Sequence, residues 1–148
     1  MFSRQQLIAE LPLSCAQASP ALDHARFVQD DFETPESEEE IWAFRGSKRD
    51  FPNPVLFWIK ALQSQDWSER DSYFRQYLQE GLCEPITESE FARIVASHSY
   101  SLRPSLPDFL LAREGFQAGL RMRADWNDVA AIAELTDVFV AFFWFTTA

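Results

Sequence analysis

Hydrophobic residues recur at helical spacing along most of the chain and change character only near its end. Ser3 with Gln6 has the form of a capping box ahead of Leu7, Ile8 and Leu11. Ser19-Pro20 joins a cap to a first-turn proline and predicts a helix with Leu22, Phe27 and Val28 inward. Thr34-Pro35 and the box Ser37…Glu40 predict a third helix through Ile41, Trp42 and Phe44. Gly46, lacking a Cβ, suits its left-handed stop.

Asn53 caps a further helix whose first residue is Pro54, and Val55 to Leu62 is apolar almost all round, the mark of a central buried helix. Ser68 opens a helix ending near Gly81, with Tyr73, Phe74, Tyr77 and Leu78 as its stripe. Thr87…Glu90 is a capping box, with Phe91, Ile94, Val95 and His98 on one face. Ser105…Asp108 predicts another helix, carrying Leu106, Phe109, Leu110, Phe116 and Leu120 inward. Gly115 and Gly119 form a small-residue pair on it that suits close helix packing, and Arg121 and Arg123 fall in its last turn.

The C-terminus differs. Residues 138–147 are strand formers except for one alanine, and both faces are apolar, so a strand there is covered on both sides. Val129 to Leu135 is its expected hairpin mate, with Thr136-Asp137 in the turn. The rival is one long helix from Asp125 or Asn127 onward; the side-chain freedom that Val, Phe and Trp lose in a helix favours the hairpin. The pattern therefore predicts an α+β fold, predominantly helical: a compact multi-helix domain with a C-terminal β-hairpin or strand, the alternative being all-α.

Composition sets the scale. The 148 residues fit a single globular domain, 1–148, and 47% hydrophobic against 24% charged residues place it among folded proteins. Residues 1–11 lack the apolar core of a secretory leader, and no apolar run approaches a membrane span, so a cytoplasmic protein with reduced Cys15 and Cys83 is expected.

The net charge of −10 argues against nucleic acid or an anionic membrane as partner. Charge is uneven: residues 1–40 hold 2 basic and 9 acidic residues, against 11 and 14 in residues 41–148. Asp30, Asp31, Glu33, Glu36, Glu38, Glu39 and Glu40 fall within eleven positions. Such a run suits a helix N-terminus, whose dipole favours anions. It also suits a recognition surface for a basic protein, with Trp42 beside it as an aromatic anchor.

Chemistry is sparse. His24 and His98 read as ordinary helix histidines, and Cys83 sits beside Glu84, which disfavours a thiolate. The spacings of Cys15, His24, Cys83 and His98 are not those of a zinc module, and four glycines leave no phosphate loop. The expectation is no catalytic, metal or cofactor site, and no enzyme. What remains is a protein-binding module, an inhibitor or immunity-type protein meeting a basic partner through Asp30, Asp31, Glu33, Glu36, Glu38, Glu39, Glu40 and Trp42. An adaptor that buries its aromatic C-terminus in a homo-oligomer is one alternative. A hydrolase built on an unrecognised carboxylate and histidine pair is the other.

Overall fold

In a computed structural model of the chain, described for residues 5–7, 22–65, 71–111 and 114–147, a six-stranded sheet forms the centre. The strands are β1 (Asp23–Phe27), β2 (Glu40–Ser47), β3 (Glu84–Ile86), β4 (Ala118–Asp125), β5 (Asp128–Glu134) and β6 (Val138–Phe145). Their order is β1-β2-β6-β5-β4-β3, and every pair is antiparallel. Among the described residues the sheet is accompanied by helices α1 (Pro54–Gln63), α2 (Asp71–Gln79), α3 (Glu88–Ser99) and the single turn α4 (Asp108–Leu111), with a helical stretch also at residues 5–7.

The sheet overturns the predominantly helical expectation and its all-α alternative. Two of the predicted helices are strands. The segment expected to be helical through Leu22 and Phe27 is β1, and the one through Ile41, Trp42 and Phe44 is β2. In β2 the run is read with period two: Ile41 and Ala43 enter one core, Phe44 and Trp42 the other. Gly46 ends no helix; it pairs with Phe139 inside the sheet. The helix expected from Ser105 stops at Leu111, and Leu120, Arg121 and Arg123 belong to β4. Gly115 lies in a turn with φ 76° and Gly119 in a strand, so they do not pack two helices together.

Other local signals are realised. Asn53 Oδ1 accepts the Leu56 N–H at 2.8 Å with Pro54 in the first turn, and Val55 through Leu62 are all buried. Thr87 and Glu90 close a reciprocal capping box on α3, at 3.1 and 3.2 Å. Residues 5–7 are helical; the rest of the expected first helix, Ser19, Pro20, Cys15 and Ser68 lie outside the described residues.

β5 and β6 form a hairpin around Leu135–Asp137, closed by the Leu135 N–H donating to the Val138 carbonyl at 2.9 Å. Both of its faces are buried, one core on each. Phe139, Ala141 and Phe143 of β6, with Ala130 and Ile132 of β5, meet α1 and α2. Val140 and Phe142, with Val129, Ala131 and Ala133, meet Phe91, Ile94 and Val95 of α3 and Leu110 of α4. At β5 and β6 the sheet is thus the middle of three layers, and the near-continuous apolar run of these two strands follows from having no solvated face there.

Candidate interaction surface

The acidic segment is not the start of a helix. It runs through two 3-10 turns, Gln29–Asp31 and Pro35–Ser37, then reverses at Glu38, which takes the left-handed conformation (φ 54°) before β2 begins. The helix-dipole account of its acids therefore does not apply. Asp30, Glu33, Glu36 and Glu38 are exposed, Asp31 and Glu40 half-buried, and Glu39 is buried.

The inward-turned members have internal partners. Asp31 accepts the Val28 N–H at 2.8 Å. Glu40 pairs with Arg26 at 2.5 Å. Glu39 accepts Ser37 Oγ at 2.7 Å, Ser101 Oγ at 3.2 Å and Trp144 Nε1 at 2.9 Å. Glu38 accepts the Thr147 hydroxyl. Among the described residues, Asp30, Glu33 and Glu36 meet no cation.

Trp42 is half-buried. Its ring packs on Phe145 and Phe143, with centroids 4.7 and 6.1 Å away, and Arg26 covers it at 5.7 Å. Its Nε1 is enclosed without a hydrogen-bond partner. The aromatic C-terminal run is also inside: Phe139, Phe142 and Phe143 are buried, and Trp144 and Phe145 are half-buried.

Among the described residues the large exposed aromatics lie elsewhere, and sequence periodicity did not find them. Trp126 is 73% exposed at the tip of the two-residue turn between β4 and β5, and Tyr100 is 82% exposed after α3. The register brings Trp126 to the acidic segment. Glu40 pairs with Phe145, Phe145 with Asp128, and Asp128 with Asp125, so one end of the sheet aligns these residues. Thr146 ties the two turns together: its N–H donates to the Asn127 carbonyl at 3.1 Å and its hydroxyl to the Ser37 carbonyl. Tyr100 joins from the other side, because the Glu33 N–H donates to the Ser101 carbonyl at 2.8 Å. A signal for Trp126 does exist in the sequence: a tryptophan between Asp125 and Asn127-Asp128, in turn-forming company.

Beneath Trp126 lies a polar cluster. Arg123 Nη1 contacts Glu80 at 3.1 Å and Nη2 contacts Asp125 at 3.1 Å, while its guanidinium stacks 4.4 Å from the centroid of the Tyr77 ring. Arg123 Nε lies 3.3 Å from Asp128 Oδ2 without hydrogen-bond alignment, so that contact is an ion pair. The Tyr77 hydroxyl donates to Asp128 Oδ1 at 3.1 Å. Burial pushes the Asp128 carboxyl up to about 6, against the opposing pull of Arg123 and Tyr77. Burial acts to lower Arg123, but Glu80 and the neighbouring acids outweigh it and hold the guanidinium above its ordinary value. A shallow recess of about 290 Å³ opens here between Glu80, Leu82, Arg123, Ala124 and Asp125.

The remaining chemistry-bearing residues are dispersed. His24 is exposed on β1, stacked on Phe44 at 6.4 Å, and His98 Nδ1 donates to the Ile94 carbonyl, 2.8 Å away, with its ring beside Trp144. The two rings lie on opposite faces of the sheet, since Phe44 and Trp144 belong to different cores. Cys83 is buried, with its backbone in the left-handed conformation (φ 49°) ahead of β3. A second cleft, about 270 Å³, is lined by Pro54, Leu120, Ile132 and Glu134, and Glu134 is already paired with Lys48 at 2.7 Å. Among the described residues, no three His, Cys, Asp or Glu side chains group as metal ligands, and no helix is long and apolar enough to cross a membrane.

Comparison with known protein families, curated proteins and solved structures finds no match to the chain.

Proposed function

We propose that the chain is a non-enzymatic binding module that presents its acidic sheet end to a basic protein, in the manner of an inhibitor or immunity-type protein. The observation that carries this reading is the placement of exposed Trp126 beside the Glu36–Glu38 turn, both fastened to Thr146. An exposed tryptophan amid carboxylates combines the two parts of an efficient docking site. The indole supplies a large, rigid contact of the kind that dominates interface energies. The carboxylates steer a cationic partner and reject anionic ones.

The surface differs from the one read in the sequence. Asp30, Glu33, Glu36 and Glu38 remain as outward charges, and Glu39 and Trp42 act inside the fold. Trp126 takes the anchor role, with Tyr100 at the far side of the acidic turns.

The test is affinity capture from the native host at physiological salt with the wild-type chain, Trp126→Ala, and a charge reversal of Glu33, Glu36 and Glu38 to lysine. A basic protein held by the wild type and lost by both variants is the expected result. Capture of the same proteins by all three, or of acidic proteins only, overturns the reading.

A further inference from the structure

Two strands border the sheet, and only β3 is blunted. It has three residues with Pro85 in the middle, and a proline offers no N–H to a further strand. β1 has five residues and no proline, and its register with β2 runs without a bulge from Asp23 opposite Arg45 to Phe27 opposite Ile41. Among the described residues, its backbone bonds to β2 and to no other strand. The other edge of β1 therefore turns alternate N–H and C=O groups outward. The charges that would guard this edge are drawn back towards β2: Arg26 pairs with Glu40 at 2.5 Å and Asp23 with Arg45 at 2.8 Å. On the face of the second core, Ala25 and Phe27 are only half-buried. Phe109 is half-buried there too, its ring 5.2 Å from the Arg45 guanidinium that holds Asp23. Past Phe27 the chain runs through exposed Val28 to Asp30, Glu33 and Glu36, which face water and meet no cation among the described residues.

We infer that the outer edge of β1 accepts an extended segment of the basic partner as a seventh, antiparallel strand, with apolar residues over Ala25 and Phe27 and lysines or arginines just before the strand, against the acidic turns. The inference rests on the docking reading above and names the part of the partner that engages it. Backbone pairing supplies affinity, and alternate side chains supply the choice of sequence. Antiparallel addition continues the pairing found throughout the sheet and is the slightly stronger form per residue. It sets the N-terminal end of the segment beside Phe27, and so its cations beside Asp30, Glu33 and Glu36. On the opposite face stand His24 and Arg26, which pack over Phe44 and Trp42. A cation directly across from Arg26 is disfavoured, so uncharged polar residues suit that face of the segment. A second copy of the chain is the poorer occupant, because the net charge of −10 opposes self-association.

The experiment uses the full chain and a synthetic peptide of lysines followed by alternating valine and threonine. Two further peptides keep that sequence and carry backbone N-methyl groups, one on the valines and the other on the threonines. Alternate N–H groups of a strand face opposite edges, so one methylated peptide loses the edge that meets β1 and the other keeps it. The unmodified peptide is expected to shift the NMR amide signals of Asp23 to Phe27 and to slow hydrogen exchange at alternate ones. One methylated peptide is expected to bind about tenfold more weakly or worse, and the other within about threefold of the parent. Serine in place of the lysines weakens binding several-fold, a difference that added salt suppresses. Equal affinity of the two methylated peptides overturns strand addition and leaves the docking reading standing, as do amide shifts confined to Trp126 and the acidic turns. Protection of β1 that grows with protein concentration in the absence of peptide overturns it in favour of a second copy. Failure of every lysine peptide to bind overturns the docking reading and the inference with it.

Discussion

Glu39 Oε1 accepts the indole N–H of Trp144 at 2.9 Å, joining the residue before β2 to the end of β6. The same carboxylate takes two serine hydroxyls, Ser37 and Ser101, from separate loops. One member of a conspicuously acidic run therefore serves as a buried bracket between three parts of the chain, while Asp30, Glu33, Glu36 and Glu38 face water.

That difference is measurable. Glu39→Ala leaves the Trp144 N–H and the Ser101 hydroxyl without their acceptor in a site that is 8% exposed, while the Ser37 hydroxyl keeps the Thr34 carbonyl. Unmatched buried donors cost about 1–3 kcal/mol each before relaxation and water entry, so a net loss of about 2–4 kcal/mol is expected. Glu36→Ala, on the surface of the same segment, is expected to stay within about 0.5 kcal/mol of wild type. Urea unfolding of the two variants compares them. Equal effects would remove the bracket.

The sequence carried the helix signals that depend on a few adjacent atoms. The Asn53 cap and the Thr87–Glu90 box were legible because their chemistry is complete within four residues. The β5–β6 hairpin was favoured over its helical rival because nine of the ten residues 138–147 are strand formers, though periodicity alone did not separate the two. The pattern at Ile41-Trp42-Ala43-Phe44 was not decisive, because a strand buried on both faces loses the polar alternation that identifies strands. The Ser37…Glu40 box then misled: Ser37 Oγ donates to Thr34 O and to Glu39 rather than capping a helix. The acidic segment was visible as composition, yet which acids face water depends on Trp144, Ser101 and Arg26. The first two of these lie more than 60 residues away. Trp126 was missed because its importance is absence of burial, set by a turn and not by a stripe.

Gly46 illustrates the same point in the core. A Cβ built there comes within 2.6 Å of Phe51 Cε2 and 2.9 Å of Phe57 Cδ1. Those two rings are already packed edge to face with centroids 5.4 Å apart. Gly46→Ala therefore overpacks the site, with an expected loss of about 1–3 kcal/mol. Thermal unfolding gives the answer: a Tm at or above the wild-type value would show that the Phe51 ring yields freely. A left-handed helix stop at Gly46 would have predicted a cost from backbone conformation; the cost expected here comes from aromatic crowding.

Thr87 opens α3, whose Phe91, Ile94 and Val95 fill the second core. Thr87→Ala removes the oxygen that accepts the Glu90 N–H, and costs about 1 kcal/mol, the usual price of an N-cap. Thr87→Ser retains the hydroxyl and is expected to recover most of it. Paired denaturant melts of the two variants separate loss of the cap from loss of the methyl group.

Asp128 supplies a prediction in pH. Its carboxyl titrates near 6 in the fold against 3.8 for an unhindered aspartate, so between these values the folded state holds a proton that the unfolded chain has released. Stability from this group is therefore full below about pH 3.8 and declines as the pH rises through about 6. At 1.36 kcal/mol per pKa unit the decline between pH 4 and 7 is about 2–3 kcal/mol. Asp128→Asn cannot ionise and lacks this slope, though it also forfeits the ion pair with Arg123, 3.3 Å away. The stability difference, wild type minus variant, is expected to shrink by that amount from pH 4 to 7. Urea melts at each pH cancel the contributions of the other carboxylates to first order. A difference that stays constant, or grows with pH, would mean that Arg123 and Tyr77 outweigh burial and keep the carboxylate charged throughout.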